Sequence, residues 1–146
     1  MIRKGMEGSL PQWKFASGKE ANFIQAFNKE ALGFIYEVEF NNGKKYLGRK
    51  ALYHTRTLKP LKGKKKKRIK VVESDWLKYI GSFKDEELKE QMKSGHLTVV
   101  KRTILRECLS KWEMSYYETK HLFEKDCLLS NEYYNNNILG KFYKPK

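Results

Sequence analysis

Cysteine is scarce and unpatterned. Cys108 and Cys127 are the only two in 146 residues. With no CxxC spacing they exclude a zinc ribbon or a disulfide framework, and they suit a reducing cytoplasm. Long apolar runs are also missing. No stretch is long enough to span a bilayer, and the opening MIRKGMEGSLPQWKF has no signal-peptide apolar core. No basic amphipathic helix with a broad apolar face stands out, so a membrane surface is not the expected partner. Acidic residues are short too, 17 Asp+Glu against 31 Lys+Arg, for a formal charge of +14. An excess of that size points to a nucleic acid, because each phosphate contacted by Lys or Arg releases condensed counterions. The length supports one domain with a single modest core. Charge alone does not separate an enzyme from a passive binder.

Residues 1–16 show no periodicity and read as a tethered arm. Ser17 and Glu20 have capping-box spacing, and Phe23, Ile24, Phe27 and Ala31 recur at helical intervals, which predicts a helix from Lys19 to Leu32. The stretch GFIYEVEFNNGKKYLGRK then reads as a hairpin, with strands from Phe34 to Phe40 and from Lys44 to Arg49. Two turns fit it. A two-residue Asn42-Gly43 loop puts Tyr36 and Tyr46 on opposite faces. A three-residue Asn41-Asn42-Gly43 loop with a left-handed glycine pairs 40 with 44 and 38 with 46, and both phenols then share one face with Phe34 and Val38.

Residues 49–72 carry eleven Lys/Arg and no acid. A solvated loop is the plain reading. The alternative is a basic hairpin in which RTLKPL and RIKVV pair around Lys62-Gly63. Either form offers Arg49, Lys50, Lys62, Lys64, Lys65, Lys66, Lys67, Arg68 and Lys70 to a phosphate backbone. A charged helix follows from Asp85 to Lys93, ended by Ser94-Gly95. HLTVVKRTIL, residues 96–105, fits a third strand, and a helix from Ser110 to Asp126 shows helical spacing at Trp112, Tyr116, Thr119 and Phe123. Trp76 and Trp112 are assigned to the core, and Trp13 to core or arm. The expected fold is α/β (α+β): a small three-stranded antiparallel or mixed sheet flanked by helices, with a basic arm inserted at about 57–72. Residues 1–32 form the arm and first helix, and residues 33–146 the main module.

GFIY, followed after nine residues by YLG, resembles the signature of the GIY-YIG nucleases, with Phe and Leu where the family name has Ile. Downstream landmarks follow in the family's order: Arg56, YIGS from Tyr79, TIL at the third strand, ETKHLF at Glu118, and YYN ending at Asn135. The likeness covers residues 33–140, most nearly to small phage-encoded, homing-endonuclease-like members. It implies a metal-dependent endonuclease that nicks or cuts DNA of phage or other mobile origin, in the host cytoplasm if phage-encoded. One Mg²⁺ or Mn²⁺ per site would be held by Glu118, with Glu113 its competitor. The implied cation at the scissile phosphate is Arg56, with Arg49 and Lys50 as alternatives. Tyr36 is the implied general base, its phenol lowered by the nearby metal and cations, with Tyr46 or Tyr79 placing the water. Asn135 would orient backbone or substrate, and His121 could stand behind Glu118. One compact site cuts one strand, so a double-strand break needs a homodimer or two events. The rivals are a module of the same fold without catalysis and a basic RNA-binding protein whose aromatics stack on bases.

Overall fold

The computed structural model describes residues 10–145. The part of the expected arm at 1–9 lies outside the described residues. The chain runs β1 (Trp13–Phe15), β2 (Glu20–Ala21), β3 (Gly33–Phe40), β4 (Lys45–Ala51), β5 (Tyr53–Leu58), β6 (Arg68–Glu73), α1 (Glu86–Lys93), β7 (Val99–Cys108), α2 (Lys111–Glu124), β8 (Asn137–Ile138) and β9 (Phe142–Tyr143). Strands β2-β1-β7-β3-β4 form one mixed sheet in that order, while β5-β6 and β8-β9 are separate hairpins. The sheet has five strands where three were expected. The additional two come from the N-terminal segment, whose Trp13–Phe15 pairs parallel with Arg102–Ile104 of β7.

The expected helix from Lys19 to Leu32 is replaced by β2 and one 3₁₀ turn, Ile24–Ala26. Ser17 does not cap a helix. Its Oγ accepts from Lys19 N at 3.5 Å inside a tight turn, where Gly18 takes φ +98° and Phe15 N–H donates to Lys19 O at 2.8 Å. The short polar side chain has thus offered the backbone a turn in place of a helix.

Strand β3 lies between β7 and β4 and buries both faces. Phe34, Tyr36, Val38 and Phe40 enter an aromatic core with Trp13, Phe27, Leu52 and Trp76. Ile35 enters a second core with Leu47, Met114 and Leu122, formed where α2 covers the other face. Edge-to-face contacts tie the first core together: Trp13 lies 5.1 Å from Phe34 and Phe27 lies 5.1 Å from Trp76. Such pairs contribute about 0.5–1.5 kcal/mol each beyond burial. Trp13 is a core residue, but Trp112 is not: at 67% exposure it lies on the solvent side of α2.

The helices start where the sequence caps them. Asp85 accepts from Glu87 N–H at 2.9 Å ahead of α1. Ser110 accepts from Glu113 N–H at 3.1 Å ahead of α2, and Glu113 returns by accepting from Leu109 N–H at 3.0 Å. That exchange occupies the Glu113 carboxylate in helix capping.

Buried Arg102 was not singled out from the sequence. Its guanidinium stacks on Trp13 at 4.7 Å and donates to the carbonyls of Pro11, Leu77 and Tyr79 at 2.8–2.9 Å. Burial lowers its pKa to about 10, which leaves it charged in any neutral buffer. It fixes the loop that carries Tyr79.

Candidate active site

The β3–β4 turn decides where the phenols point. Gly43 has φ +85°, Phe40 N–H donates to Lys44 O at 2.8 Å, and Val38 pairs with Tyr46. This is the three-residue loop, so Tyr36 and Tyr46 share a face, with ring centroids 6.5 Å apart. Tyr79 arrives from the loop after a 3₁₀ turn, Trp76–Lys78, and meets Tyr36 edge-on at 5.8 Å. Its hydroxyl is hydrogen-bonded to Ser82, and the Lys50 ammonium sits 4.0 Å over its ring. Lys50 also reaches Asp75 at 2.6 Å.

Tyr36 pairs across the strands with Gly48. A Cβ on Gly48 would lie 2.6 Å from Tyr36 Oη, so the missing side chain is what lets the phenol lie across β4. Strand β4 is the free edge of the sheet, and Tyr36 thereby extends to that edge. The register of β3 on β7 also slips between Ile35 and Tyr36. A bulge of this kind re-aims a side chain.

Residues of β4 alternate between the sheet's faces, which places Arg49 opposite Tyr46, towards α2. There its Nε lies 3.5 Å from Glu118 Oε1 and its Nη1 donates to Ser115 Oγ at 2.6 Å. Burial raises the Glu118 pKa, and Arg49 opposes the rise. The Glu118 charge in turn helps to raise both Tyr36 and Tyr46. The cluster therefore wraps one strand edge, with three phenols on one side and a carboxylate-guanidinium pair on the other.

The protein's own groups push Tyr36 up, so the lowering expected there rests on the metal. Burial raises it first, followed by Tyr79, Tyr46 and Glu118. Tyr46 is pushed up to about 12, mainly by burial. None of the protein groups acting on either phenol lowers it.

Asn135 is buried and grips β4 from outside. Its Oδ1 accepts from Leu47 N–H at 3.0 Å and its Nδ2 donates to Leu47 O at 2.7 Å. This amide stands where a further strand would, between Tyr46 and Gly48. Replacing it by Ala orphans two backbone groups at a buried edge, and should destabilise the protein by about 3 kcal/mol. A lowered denaturant midpoint at unchanged slope would show this; an unchanged midpoint would refute it.

Arg56 is not near this cluster's cation position. It lies exposed on β5, paired with Lys70 of β6. It stands on the β5–β6 hairpin, and Arg49, one of its alternatives, is the guanidinium that meets Glu118. The loop residues Lys62, Lys64, Lys65, Lys66 and Lys67 and the strand residues Arg68 and Lys70 are all exposed. His121 faces Glu124 at 3.9 Å, so its contact is with a neighbour on the helix surface. Sequence reasoning also missed Ser115, Ser82 and Gly48. Only the glycine had a signal, its place in YLG.

Among the described residues Glu118 is the one carboxylate in the cluster. Among the described residues no group of three or more His, Cys, Asp or Glu could enclose a metal ion. A single partly desolvated carboxylate fits one hard cation that keeps most of its coordination for water and phosphate, and does not fit a closed cage.

The family model described as "Putative endonuclease segE, GIY-YIG domain" matches residues 13–138. The chain belongs to the GIY-YIG nuclease family, and endonuclease activity follows at the level of the family. The match takes in β1 and β2 as well as the two tyrosine strands. No curated protein and no solved structure matches the chain.

Proposed function

We propose that this protein is a metal-dependent endonuclease that hydrolyses phosphodiester bonds of phage or other mobile DNA, one strand per site. The observation that carries the reading is that Tyr36, Tyr46 and Tyr79 gather on one face of the sheet at β4 while the Arg49–Glu118 pair lies on the other, close enough for the Glu118 charge to act on Tyr36 and Tyr46. Glu118 would hold one Mg²⁺ or Mn²⁺. That cation would stabilise charge on the phosphate and acidify a water.

The chain's own residues do the rest. Arg49 is 46% exposed in its side chain and can turn its planar donors from Glu118 to a phosphate oxygen. It takes the role for which the resemblance implied Arg56, with Arg49 among the alternatives. Tyr36 starts protonated, since its surroundings raise it, and its hydroxyl orients the attacking water. To act as base it must first give up the proton on Oη. Tyr46 and Tyr79 hold that water from either side. Asn135 keeps β4 in register, and so keeps Tyr46 and Arg49 on their separate faces. The exposed lysines at 62 and 64–67 contact phosphates along the duplex. Two cuts need two sites, whether from a homodimer or from successive events.

A second reading is a binding module of the same fold without catalysis. One contact favours it: Arg49 already engages Glu118, and a cation must compete with that guanidinium. A supercoiled-plasmid assay with Mg²⁺ and an EDTA control separates the two. Nicked or linear product from wild type, lost in EDTA and reduced at least ~100-fold in Tyr36→Phe, supports the nuclease. A gel shift without strand breaks across several plasmids supports the module.

A further inference from the structure

The β5–β6 hairpin is held only at its base. Leu52 is buried, its N–H donates to Leu32 O at 2.8 Å and its carbonyl accepts from Ser74 N–H at 2.8 Å. Ser74 Oγ adds a bond to Ala51 O at 2.6 Å, and Trp76 is buried just beyond. Past these anchors the strands leave the body of the protein, with residues 53–57 exposed on both faces. A two-stranded ribbon standing free in water is marginal at best.

The register sharpens the point. Arg56 lies directly opposite Lys70. Like charges opposed across a β-ladder repel, and residues 49–72 contain no acid to relieve them. Among the described residues neither side chain has an ion-pair partner. Glu73 is on the other face of the ribbon and accepts from Trp76 Nε1 at 2.7 Å. Arg68 shares the face of Lys70, but its Nε is tied back to Lys59 O at 3.2 Å. One pair of long donors is therefore left pointing the same way from adjacent strands.

We propose that this ribbon enters the major groove of the DNA substrate and that Arg56 and Lys70 read guanines there; the inference rests on the endonuclease reading for its partner. A major groove about 12 Å wide admits a two-stranded ribbon, and Arg or Lys donating to guanine O6 and N7 is its commonest specific contact. Cross-strand side chains start about 5 Å apart, close enough to address neighbouring base steps. The lysines of the connecting loop would fix the ribbon by phosphate contacts, which carry no sequence information. Duplex RNA is not the partner, since its major groove is too deep and narrow for side chains to read.

The test is selection of bound duplexes from a randomised DNA pool, in EDTA so that cleavage plays no part. Wild type should enrich a motif containing guanine. Arg56→Ala and Lys70→Ala should each lose on the order of ten-fold preference at one guanine and keep the other positions. Lys64→Ala should weaken all sequences alike, with a salt slope smaller by about 1. Ile69→Thr with Val71→Thr alters the opposite face, and should leave the motif intact. Absence of any enriched sequence overturns the proposal, as does a motif unchanged in both basic variants or equal competition by duplex RNA. An enriched motif without plasmid cleavage would uphold the ribbon and remove the nuclease. Cleavage with no motif would do the reverse.

Discussion

Glu118→Gln is expected to stop cleavage and to leave the protein at least as stable as wild type. Burial raises the folded pKa of Glu118 above its unfolded value, and Arg49 only partly opposes this. The folded state therefore holds the proton more tightly than the unfolded chain does. The stabilisation that follows is complete below the ordinary carboxylate value and is lost as pH rises through the raised one. At neutral pH the ionised side chain is a cost, which the neutral isostere removes. Arg49 keeps Ser115 as an acceptor and has access to water, so it is not stranded. Cleavage should fall by about 1,000-fold, because the site has no second carboxylate to hold a cation. Thermal melting beside plasmid cleavage checks both halves. Full cleavage by the Glu118→Gln variant would remove the carboxylate from the mechanism, and a large loss of stability would make its role structural.

Gly48→Ala is expected to damage both fold and activity through a single methyl group. The new Cβ would lie 2.6 Å from Oη and 2.8 Å from Cζ of Tyr36, distances that packed atoms do not tolerate. Tyr36 has no room to retreat. Trp13 is 5.6 Å from its ring centroid, Phe34 6.2 Å and Tyr79 5.8 Å. Overpacking of that kind costs about 1–3 kcal/mol, and a phenol displaced by an ångström costs about 100-fold in rate. The double variant with Tyr36→Phe loses the hydroxyl that clashes first. It should recover part of the stability and none of the cleavage. A single variant that melts and cuts like wild type would show that Tyr36 does not need the space above Gly48.

The parts of this molecule written in local signals were legible, and those written in long-range pairing were not. Asn41-Asn42-Gly43 announced a turn but left two loop lengths open, and only the pairing of Val38 with Tyr46 set the shared face of Tyr36 and Tyr46. Asp85 and Ser110 marked their helices because capping is a local bond. Strands β1 and β2, three and two residues long, are too short to show a period, and the partner of β1 lies more than 80 residues away in β7. Trp112 shares a helical stripe with Tyr116 and Phe123, but periodicity reports that a stripe exists and not which way it faces. Arg49 was visible only as a charge after YLG. Its meeting with Glu118 depends on α2 covering the opposite face of β4. Arg102 drew no notice because nothing local announces the three carbonyls that converge on it.

The exposed edge of β4 has a consequence for how the protein behaves in a crowded solution. A free strand edge is a template on which another chain can build a ladder. The C-terminal segment closes part of it, through Lys45 N–H to Glu132 O at 2.7 Å and Tyr134 N–H to Lys45 O at 2.8 Å, and the Asn135 amide closes the next step. Beyond Leu47 no further bond closes the edge among the described residues. What stands there is Arg49 followed by Lys50, two cations that a second copy of the same strand would have to bury against its own. The charges that the proposed function offers to phosphate would thus also guard against self-association, and neutralising them would invite aggregation at the same edge.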